Sequence, residues 1–155
     1  MQVSSSLESS VMQRKKWIIA IIVIVSAIAA YLAFVFLCRS YYNRGTVYYE
    51  KGEYDEAILC FDKAISLKPR FAEAYCSRGT AYYQKGEYDQ AILDFNKAIE
   101  RNPKLAEAYY NRAVVYYHKQ EYDKAWEDVQ KARNLEHQIP PTFLKDLHEA
   151  SEEGR

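Results

Sequence analysis

Two kinds of hydrophobic pattern divide the chain. From Trp17 to Leu37, 21 consecutive residues carry no charge, whereas from Cys38 onward apolar residues recur among polar ones. Within 72–105, two sets of three small or aromatic residues follow i, i+4, i+7 spacing: Tyr75, Gly79 and Tyr82, then Ala91, Phe95 and Ala98. Because residues at this spacing share one face of an α-helix, each set predicts an amphipathic helix.

A glycine and a proline mark where these two helices end. Gly86 lies between them, and glycine enters the left-handed conformation without a Cβ clash. Pro103 follows the second helix and pushes the residue before it out of the helical region. Residues 72–105 therefore predict a helical hairpin, in which the small Gly79 and Ala91 allow two backbones to cross closely.

The hairpin is repeated with a period of 34 residues. The same residue types return at matching places in the segments 38–71, 72–105 and 106–139: Tyr41, Tyr75 and Tyr109; Tyr48, Tyr82 and Tyr116; Ala57, Ala91 and Ala125; Ala64, Ala98 and Ala132. A single hairpin leaves one apolar face uncovered, and only the next hairpin can cover it. A fixed period of this size therefore predicts stacked repeats.

This frame resembles that of the tetratricopeptide repeat (TPR) family, which has an aromatic, a glycine, a tyrosine, an alanine, an aromatic, an alanine and a proline. The first two segments contain all seven: Tyr41, Gly45, Tyr48, Ala57, Phe61, Ala64 and Pro69, then Tyr75, Gly79, Tyr82, Ala91, Phe95, Ala98 and Pro103. The third segment departs from it at Ala113, Gln120, Val129 and His137. The resemblance covers 38–139 and implies an all-α fold, a right-handed α-solenoid of three helix-turn-helix repeats.

The last segment, 140–155, predicts a capping helix and a short tail. Pro140 and Pro141 interrupt the third repeat, and Thr142 is a suitable N-cap for a helix that ends near Glu152. Its apolar side consists of Phe143, Leu144, Leu147 and Ala150. A solenoid needs such a terminal element, which is apolar inward and polar outward.

The apolar segment 17–37 predicts one transmembrane helix before the repeats. At 1.5 Å per residue it spans about 31 Å, which matches a hydrocarbon core of roughly 30 Å. The preceding residues, 1–16, are serine-rich and are expected to be disordered. The alternative is a signal peptide that is cleaved after 27–29. Cleavage there would leave the apolar residues 31–37 exposed, so we favour an uncleaved anchor.

Basic residues on the two sides of this segment predict its orientation. Arg14, Lys15 and Lys16 precede it, whereas only Arg39 and Arg44 follow closely. The positive-inside rule then places the N-terminus in the cytoplasm and the repeats outside. We expect a single-pass protein of a bacterial inner membrane with a periplasmic TPR domain. A cytosolic domain anchored on a eukaryotic organelle is the alternative.

Composition argues against nucleic acid as a partner and against catalysis. Basic and acidic residues number 21 each, and from Cys38 onward 18 basic residues face 20 acidic ones. No basic face for DNA or RNA is evident. The three cysteines and three histidines follow no metal-ligand spacing, and no phosphate loop or nucleophile motif is present. We therefore expect no enzyme, no cofactor and no metal site. Pairing of Cys60 with Cys76 stays open, since it depends on their Cα separation.

Two ladders of charged residues follow the repeat period. One consists of Arg44, Arg78 and Arg112, and the other of Asp55, Asp89 and Asp123. A charged strip for a partner of opposite sign is one interpretation. We favour the other, in which each arginine meets an acidic neighbour within the repeats.

The resemblance also implies a binding groove, lined by the first helix of each repeat. By position its residues are Tyr42, Thr46, Tyr49, Glu50, Glu73, Cys76, Thr80, Tyr83, Gln84, Glu107, Tyr110, Val114, Tyr117 and His118. Some family members hold a chaperone C-terminus with a clamp of lysines, asparagines and an arginine. The matching places here are Tyr42, Thr46, Ser77, Glu107 and Asn111, and Glu107 would repel a carboxylate. That co-chaperone activity is not expected.

These observations predict a membrane-anchored scaffold for protein–protein interaction, which binds a segment of a partner protein in the groove. The alternative is a structural role, in which the repeats self-associate or form one subunit of a membrane assembly without a separate peptide ligand.

Overall fold

The computed structural model describes the backbone of residues 2–153 and the side chains of residues 12–152. Met1, Gly154 and Arg155, the ends of the predicted N-terminal segment and tail, lie outside the described residues. The described part contains seven α-helices and no strand: α1 Gln2–Glu50, α2 Tyr54–Leu67, α3 Ala72–Gln84, α4 Tyr88–Arg101, α5 Ala106–His118, α6 Tyr122–Asn134 and α7 Pro141–Glu153. The prediction of an all-α fold is confirmed.

The chain divides into two compact units, Met1–Leu37 and Cys38–Arg155. In the first unit, helix α1 already begins at Gln2. The prediction of disorder is therefore wrong for residues 2–16. Although serine-rich, this stretch contains neither proline nor glycine. Nothing interrupts the helix, and extending an existing helix adds one hydrogen bond for each residue fixed.

One helix in the described part of the chain is long and apolar enough to cross a membrane. Its most apolar 18-residue window has a mean hydropathy of 3.0, and none of that window is buried. Trp17, for example, is 69% exposed and Ile22 is 61% exposed. These side chains do not belong to a protein core, which excludes a buried core helix. A membrane anchor and a signal sequence share these properties.

The second unit consists of three helical hairpins and a final helix. We call residues 38–50 of α1, together with α3 and α5, the A helices, and α2, α4 and α6 the B helices. Consecutive hairpins share apolar cores: Val115 of α5 lies in one buried cluster with Phe95 and Ala98 of the preceding B helix. This packing of each hairpin on the next is the predicted α-solenoid of three repeats.

Glycine is required where the two helices of a hairpin cross. A Cβ at Gly79 would lie 2.9 Å from the ring of Phe95 and 3.2 Å from the carbonyl oxygen of Ala91. In the third hairpin, Ala113 takes the place of this glycine and Val129 that of the phenylalanine. Both are fully buried there. The smaller valine leaves room for the added methyl group.

The turns within the hairpins use the left-handed conformation that the sequence predicts. Gly52 and Gly86 have φ angles of 79° and 76°. In the third hairpin Gln120 occupies the same place with a φ of 60°. A residue with a Cβ atom adopts this conformation at a cost of about 1 kcal/mol.

Helix α7 caps the third hairpin. It begins at Pro141, two residues before Phe143, the helix start that a Thr142 N-cap predicts, and proline is well suited to the first helical position. Leu147 is fully buried with Ala125 and Val129 of α6. The prediction of a capping helix is confirmed, with this shift at its start.

The arginine ladder is largely structural. Arg78 donates hydrogen bonds to Asp94 in its own repeat and to Asp62 in the preceding one. Arg112 likewise binds Asp128 and Asn96. Burial raises the pKa of Asp94, against the lowering effect of the Arg78 hydrogen bonds.

Candidate functional site

The A helices of the second unit form one surface, on which a cavity of about 300 Å³ lies. It is lined by side chains from all three A helices and one B helix: Tyr42, Thr46, Tyr49, Glu50, Phe61, Ser77, Thr80 and Glu107. Six of the fourteen residues that the sequence predicts for the groove are among them. The structure therefore brings part of the predicted groove together around a single opening.

Hydrogen bonds connect successive A helices along this surface. The hydroxyl of Tyr42 lies 3.2 Å from that of Ser77, and Gln84 Nε2 donates to the hydroxyl of Tyr49 at 3.3 Å. Further along, Asn111 Nδ2 donates to Thr80 Oγ1 at 3.3 Å. These contacts fix the spacing of the A helices, and so the width of the groove, by directional bonds.

The cavity has an acidic rim over an aromatic base. Glu50 and Glu107 are both exposed, and within the described residues neither forms an ion pair. At the base, the ring of Phe61 lies 5.7 Å from that of Tyr42. Carboxylates that face open space above aromatic rings favour a ligand with a positive charge and an apolar stem.

A second part of the predicted groove is an aromatic cluster. The Tyr83 hydroxyl lies 2.8 Å from Nε2 of His118, and the two rings are 5.5 Å apart. Tyr88 of α4 stacks on both rings at 5.9 Å. These side chains are partly engaged with one another, so a ligand would meet their edges and polar tips.

Two predicted groove tyrosines are partly covered by the C-terminal part of the unit. Phe143 of α7 lies 5.6 Å from Tyr110 and 5.7 Å from Tyr117, edge to face. Tyr110 also packs against His137 at 5.1 Å. Their role is therefore at least partly to hold α7, which the position in the repeat frame does not reveal.

Cys76 lies beneath the groove rather than on its surface. It is 3% exposed, and Asn111 Nδ2 donates to its sulfur at 3.7 Å. Burial, together with the negative charge of Glu107, raises the pKa of its thiol to about 12. Cys38, Cys60 and Cys76 are all free thiols. The assignment of Cys76 to the accessible groove is corrected accordingly.

The remaining predicted residues lie along the same surface outside the cavity. Glu73, Gln84 and His118 are exposed, and Val114 is half-buried. Two cavity residues were not among the predicted set. The sequence places Ser77 only at a clamp position, and it predicts a helix-packing role for Phe61 because the repeat frame requires an aromatic there. Its ring serves both purposes, since it packs against Gly45 and also lines the cavity.

Four of the five clamp positions lie on this cavity: Tyr42, Thr46, Ser77 and Glu107. Hydroxyls and a carboxylate therefore stand where the clamp of the resembled proteins has cations and amides. Within the described residues, no group of three or more histidine, cysteine, aspartate or glutamate side chains is arranged to hold a metal ion.

Stacked helical hairpins with a groove along their A helices define a helical-repeat protein of the α-solenoid class. The TPR repeat model matches residues 45–86 and 79–120, and a second tetratricopeptide repeat model matches 106–135. Together these matches span more than half of the chain. The chain belongs to the TPR family.

Solved structures show the same architecture. The first TPR of Spaghetti (RPAP3), bound to the HSP90 peptide SRMEEVD, is 25% identical with a TM-score of 0.69, over 75% of this chain and 91% of that chain. The TPR2B domain of yeast Sti1, in a complex with pHsp70, is 24% identical with a TM-score of 0.68, over 77% and 99%. MamA is 31% identical with a TM-score of 0.62, over 64% of this chain and 58% of that one. No curated protein sequence matches the chain.

Proposed function

We propose that this protein is a membrane-anchored scaffold that binds a segment of a partner protein in the groove of its TPR domain. The observation that carries the proposal is the cavity of about 300 Å³, to which the A helices of all three repeats contribute. A site built from several repeats is presented only by the folded array. A TPR structure similar to this one, the first TPR of Spaghetti (RPAP3), is bound to an HSP90 peptide, which supports the same mode of use.

The chemistry of the cavity selects the class of ligand. Tyr42 and Tyr49 offer aromatic surface over the buried ring of Phe61, whereas Glu50 and Glu107 supply negative charge at the rim. Tyrosine is favoured at interfaces because it combines a rigid ring with a polar tip. The ligand is therefore a peptide segment with lysine or arginine beside an aliphatic or aromatic anchor. An acidic C-terminus such as that of SRMEEVD does not fit.

The membrane part of the proposal rests on the exposed apolar stretch of α1. Residues 17–37 anchor the protein, and the basic residues 14–16 keep the N-terminus in the cytoplasm. The TPR domain then meets partners on the outer face of the membrane, which is the periplasm in a bacterium. Binding of a single peptide is expected to be weak, but anchoring restricts the partners to those at the same membrane.

A photocrosslinking amino acid at Thr80, in the middle of the cavity, tests the scaffold function in native membranes. The matched control carries the same amino acid at Leu93, which is 57% exposed on a B helix. We expect a discrete crosslinked partner from the first variant only. Equal products from both positions, or none from Thr80, would contradict groove binding.

Once the partner segment is known, its affinity is measured by titration. Glu107→Lys reverses the charge at the rim, whereas Glu107→Gln removes it while keeping the size. We expect binding to weaken by about fivefold or more for the lysine variant and less for the glutamine variant. Unchanged affinity in both variants would exclude the acidic rim from recognition.

The alternative function, a self-associating subunit without a peptide ligand, makes a different prediction. Self-association raises the apparent mass of the full chain in detergent micelles as protein concentration increases. In that case the Thr80 variant crosslinks only to a second copy of the chain.

A further inference from the structure

One face of the first A helix is exposed, although its counterparts in the other repeats are buried. Val47 is 50% exposed, whereas Ala81 and Val115, one and two repeat periods later, are fully buried. In those later repeats the preceding B helix covers this position, as Phe95 and Ala98 of α4 show for Val115. The first repeat presents the same kind of surface without a B helix on it.

Two cations on this face also lack the partners that their counterparts have. Lys85 binds Asp55 of the preceding repeat at 2.7 Å, and Lys119 binds Asp89 at 2.5 Å. Arg78 binds Asp62 of the preceding repeat in the same manner. The equivalent residues of the first repeat are Lys51 and Arg44. Both are exposed, and within the described residues neither has a carboxylate partner.

We propose that this face, consisting of Ser40, Arg44, Val47 and Lys51, binds an acidic amphipathic helix of another protein. The junction between the first and second repeats defines the pattern that the helix needs. In α2 the two aspartates that meet the next repeat lie seven residues apart, and an isoleucine follows each by three residues: Asp55, Ile58, Asp62 and Ile65. Two carboxylates then reach Lys51 and Arg44, and the aliphatic side chains cover Val47.

Such aliphatic residues pack against a buried cluster that spans an internal junction. In α4, Ile92 and Ile99 occupy the places of the two isoleucines. Both pack against the buried cluster that contains Ala108 and Val115 of the following A helix. The proposed helix therefore supplies to the first repeat the aliphatic cover that α4 supplies to the third, with a second carboxylate where α4 has Asn96.

A second copy of this chain does not provide that pattern. Its last B helix, α6, has Asp123, but Gln130 takes the place of the second carboxylate and Arg133 that of the second isoleucine. Leu147 of the capping helix already lies in the buried cluster with Ala125 and Val129 of α6. A separate partner with two carboxylates is favoured over end-to-end stacking of identical chains.

This site is separate from the proposed groove, so either one stands without the other. An anionic lipid headgroup would also satisfy Arg44 and Lys51. It would not supply aliphatic side chains like those that cover Ala81 and Val115, the residues equivalent to Val47 in the other two repeats. Complementarity in both charge and apolar surface favours a helix.

The chain itself supplies a probe. A fluorescent, lactam-constrained helical peptide of residues 53–68, with Cys60 replaced by serine, is titrated against the full-length protein in nanodiscs of neutral lipid. We expect saturable binding. A control peptide with Asp55→Asn and Asp62→Asn should bind about tenfold more weakly, since it loses two ion pairs. Equal binding of both peptides, or no binding of the first, would overturn the proposal.

Charge reversal locates the binding face. The variant Arg44→Asp/Lys51→Asp should lose the peptide, and a peptide with Asp55→Lys and Asp62→Arg should bind this variant again. A peptide that merely displaced α2 would meet Arg78 and Lys85, which this variant retains. The original peptide would therefore bind the variant as tightly as it binds the unmodified protein. That result would refute the proposal. The proposal would also be refuted if the peptide binds in neutral nanodiscs but not in nanodiscs that contain phosphatidylserine. Such a loss would show that lipid covers the face.

Discussion

The guanidinium of Arg78 donates two hydrogen bonds to the carboxylate of Asp94, at 2.6 and 2.7 Å. The carboxylate is almost fully buried, with a side chain only 7% exposed. Arg78→Ala leaves this charge without its partner. Breaking a fully buried pair in this way costs about 3–5 kcal/mol, and partial exposure of Arg78 should reduce that to about 2–3 kcal/mol of unfolding free energy. Urea denaturation measures the difference.

A double variant separates two contributions to the unfolding free energy: the cost of leaving Asp94 buried without a partner, and the net stabilisation by the Arg78–Asp94 pair. Arg78→Met/Asp94→Leu removes both charges and retains much of the volume, so its stability should lie close to that of the unmodified protein. Lys85→Ala, which breaks only exposed pairs, should change stability much less than Arg78→Ala does. If the single variant at Arg78 is as stable as the one at Lys85, the buried pair is not a structural element of the repeat.

The crossing of α3 and α4 gives a second prediction. Gly79→Ala places a methyl group 2.9 Å from the ring of Phe95, closer than real Cβ contacts. Overpacking of this kind typically costs about 1–3 kcal/mol. Phe95→Val alone leaves a cavity and should cost about 2–4 kcal/mol. The third repeat, with Ala113 and Val129, shows that the two changes suit each other.

The double variant Gly79→Ala/Phe95→Val should therefore be more stable than the sum of the two single effects predicts. Thermal and urea unfolding of all four proteins give the coupling energy, which we expect to be at least about 1 kcal/mol. A coupling near zero would mean that the ring of Phe95 adjusts to the methyl group without strain. In that case Val129 of the third repeat does not compensate for the methyl group of Ala113.

The sequence predicts the hairpins well because each local signal agrees with the packing. Gly79 is small where a phenylalanine ring approaches, Gly86 has a positive φ at the turn, and Pro103 follows the last residues of α4. Such agreement repeats at a period of 34 residues. A position whose role is misassigned in one hairpin is therefore corrected by the equivalent positions of the other two.

The groove is less predictable because position in the frame does not give exposure. Cys76 and Tyr110 occupy equivalent places, one and two repeat periods of 34 residues after Tyr42. The small cysteine is covered, whereas Tyr110 reaches the surface and meets Phe143 of the capping helix. Side-chain size and a neighbour outside the repeat frame decide the outcome. Neither is contained in the repeat pattern.

Cys76 gives a third prediction, on pH. Its thiol has a pKa of about 12 in the folded protein, above the ordinary value of 9.0, because of burial. At pH 8 only about one thiol in ten thousand is then ionised, and the thiolate is the reactive form. Alkylation by iodoacetamide, followed by peptide mass spectrometry, should modify Cys76 in urea but hardly at all in the folded protein. An engineered Leu93→Cys thiol, on an exposed site, is the control. Equal rates at both sites would contradict the buried position.

The same pKa has a consequence for stability. The folded state keeps the proton of Cys76 at a pH where the unfolded state releases it. Stability from this group is therefore fully present below about pH 9 and is lost as pH rises from 9 toward 12. Cys76→Ala should reduce the loss of stability over this range, as measured by urea unfolding at several pH values.

The proposed membrane anchor gives the last prediction. The window of mean hydropathy 3.0 in α1 contains no buried residue, and three basic residues precede it, against two that follow closely. An uncleaved anchor keeps Arg14, Lys15 and Lys16 in the mature protein, which then leaves the membrane only with detergent. Expressed in a bacterium, a fusion after Arg155 to a reporter enzyme that works only outside the cytoplasm should be active. Moving the three basic residues to the other flank should abolish that activity, because the positive-inside rule then reverses the orientation. A mature N-terminus near Ala30, found by mass spectrometry, would show instead that the segment is a cleaved signal peptide.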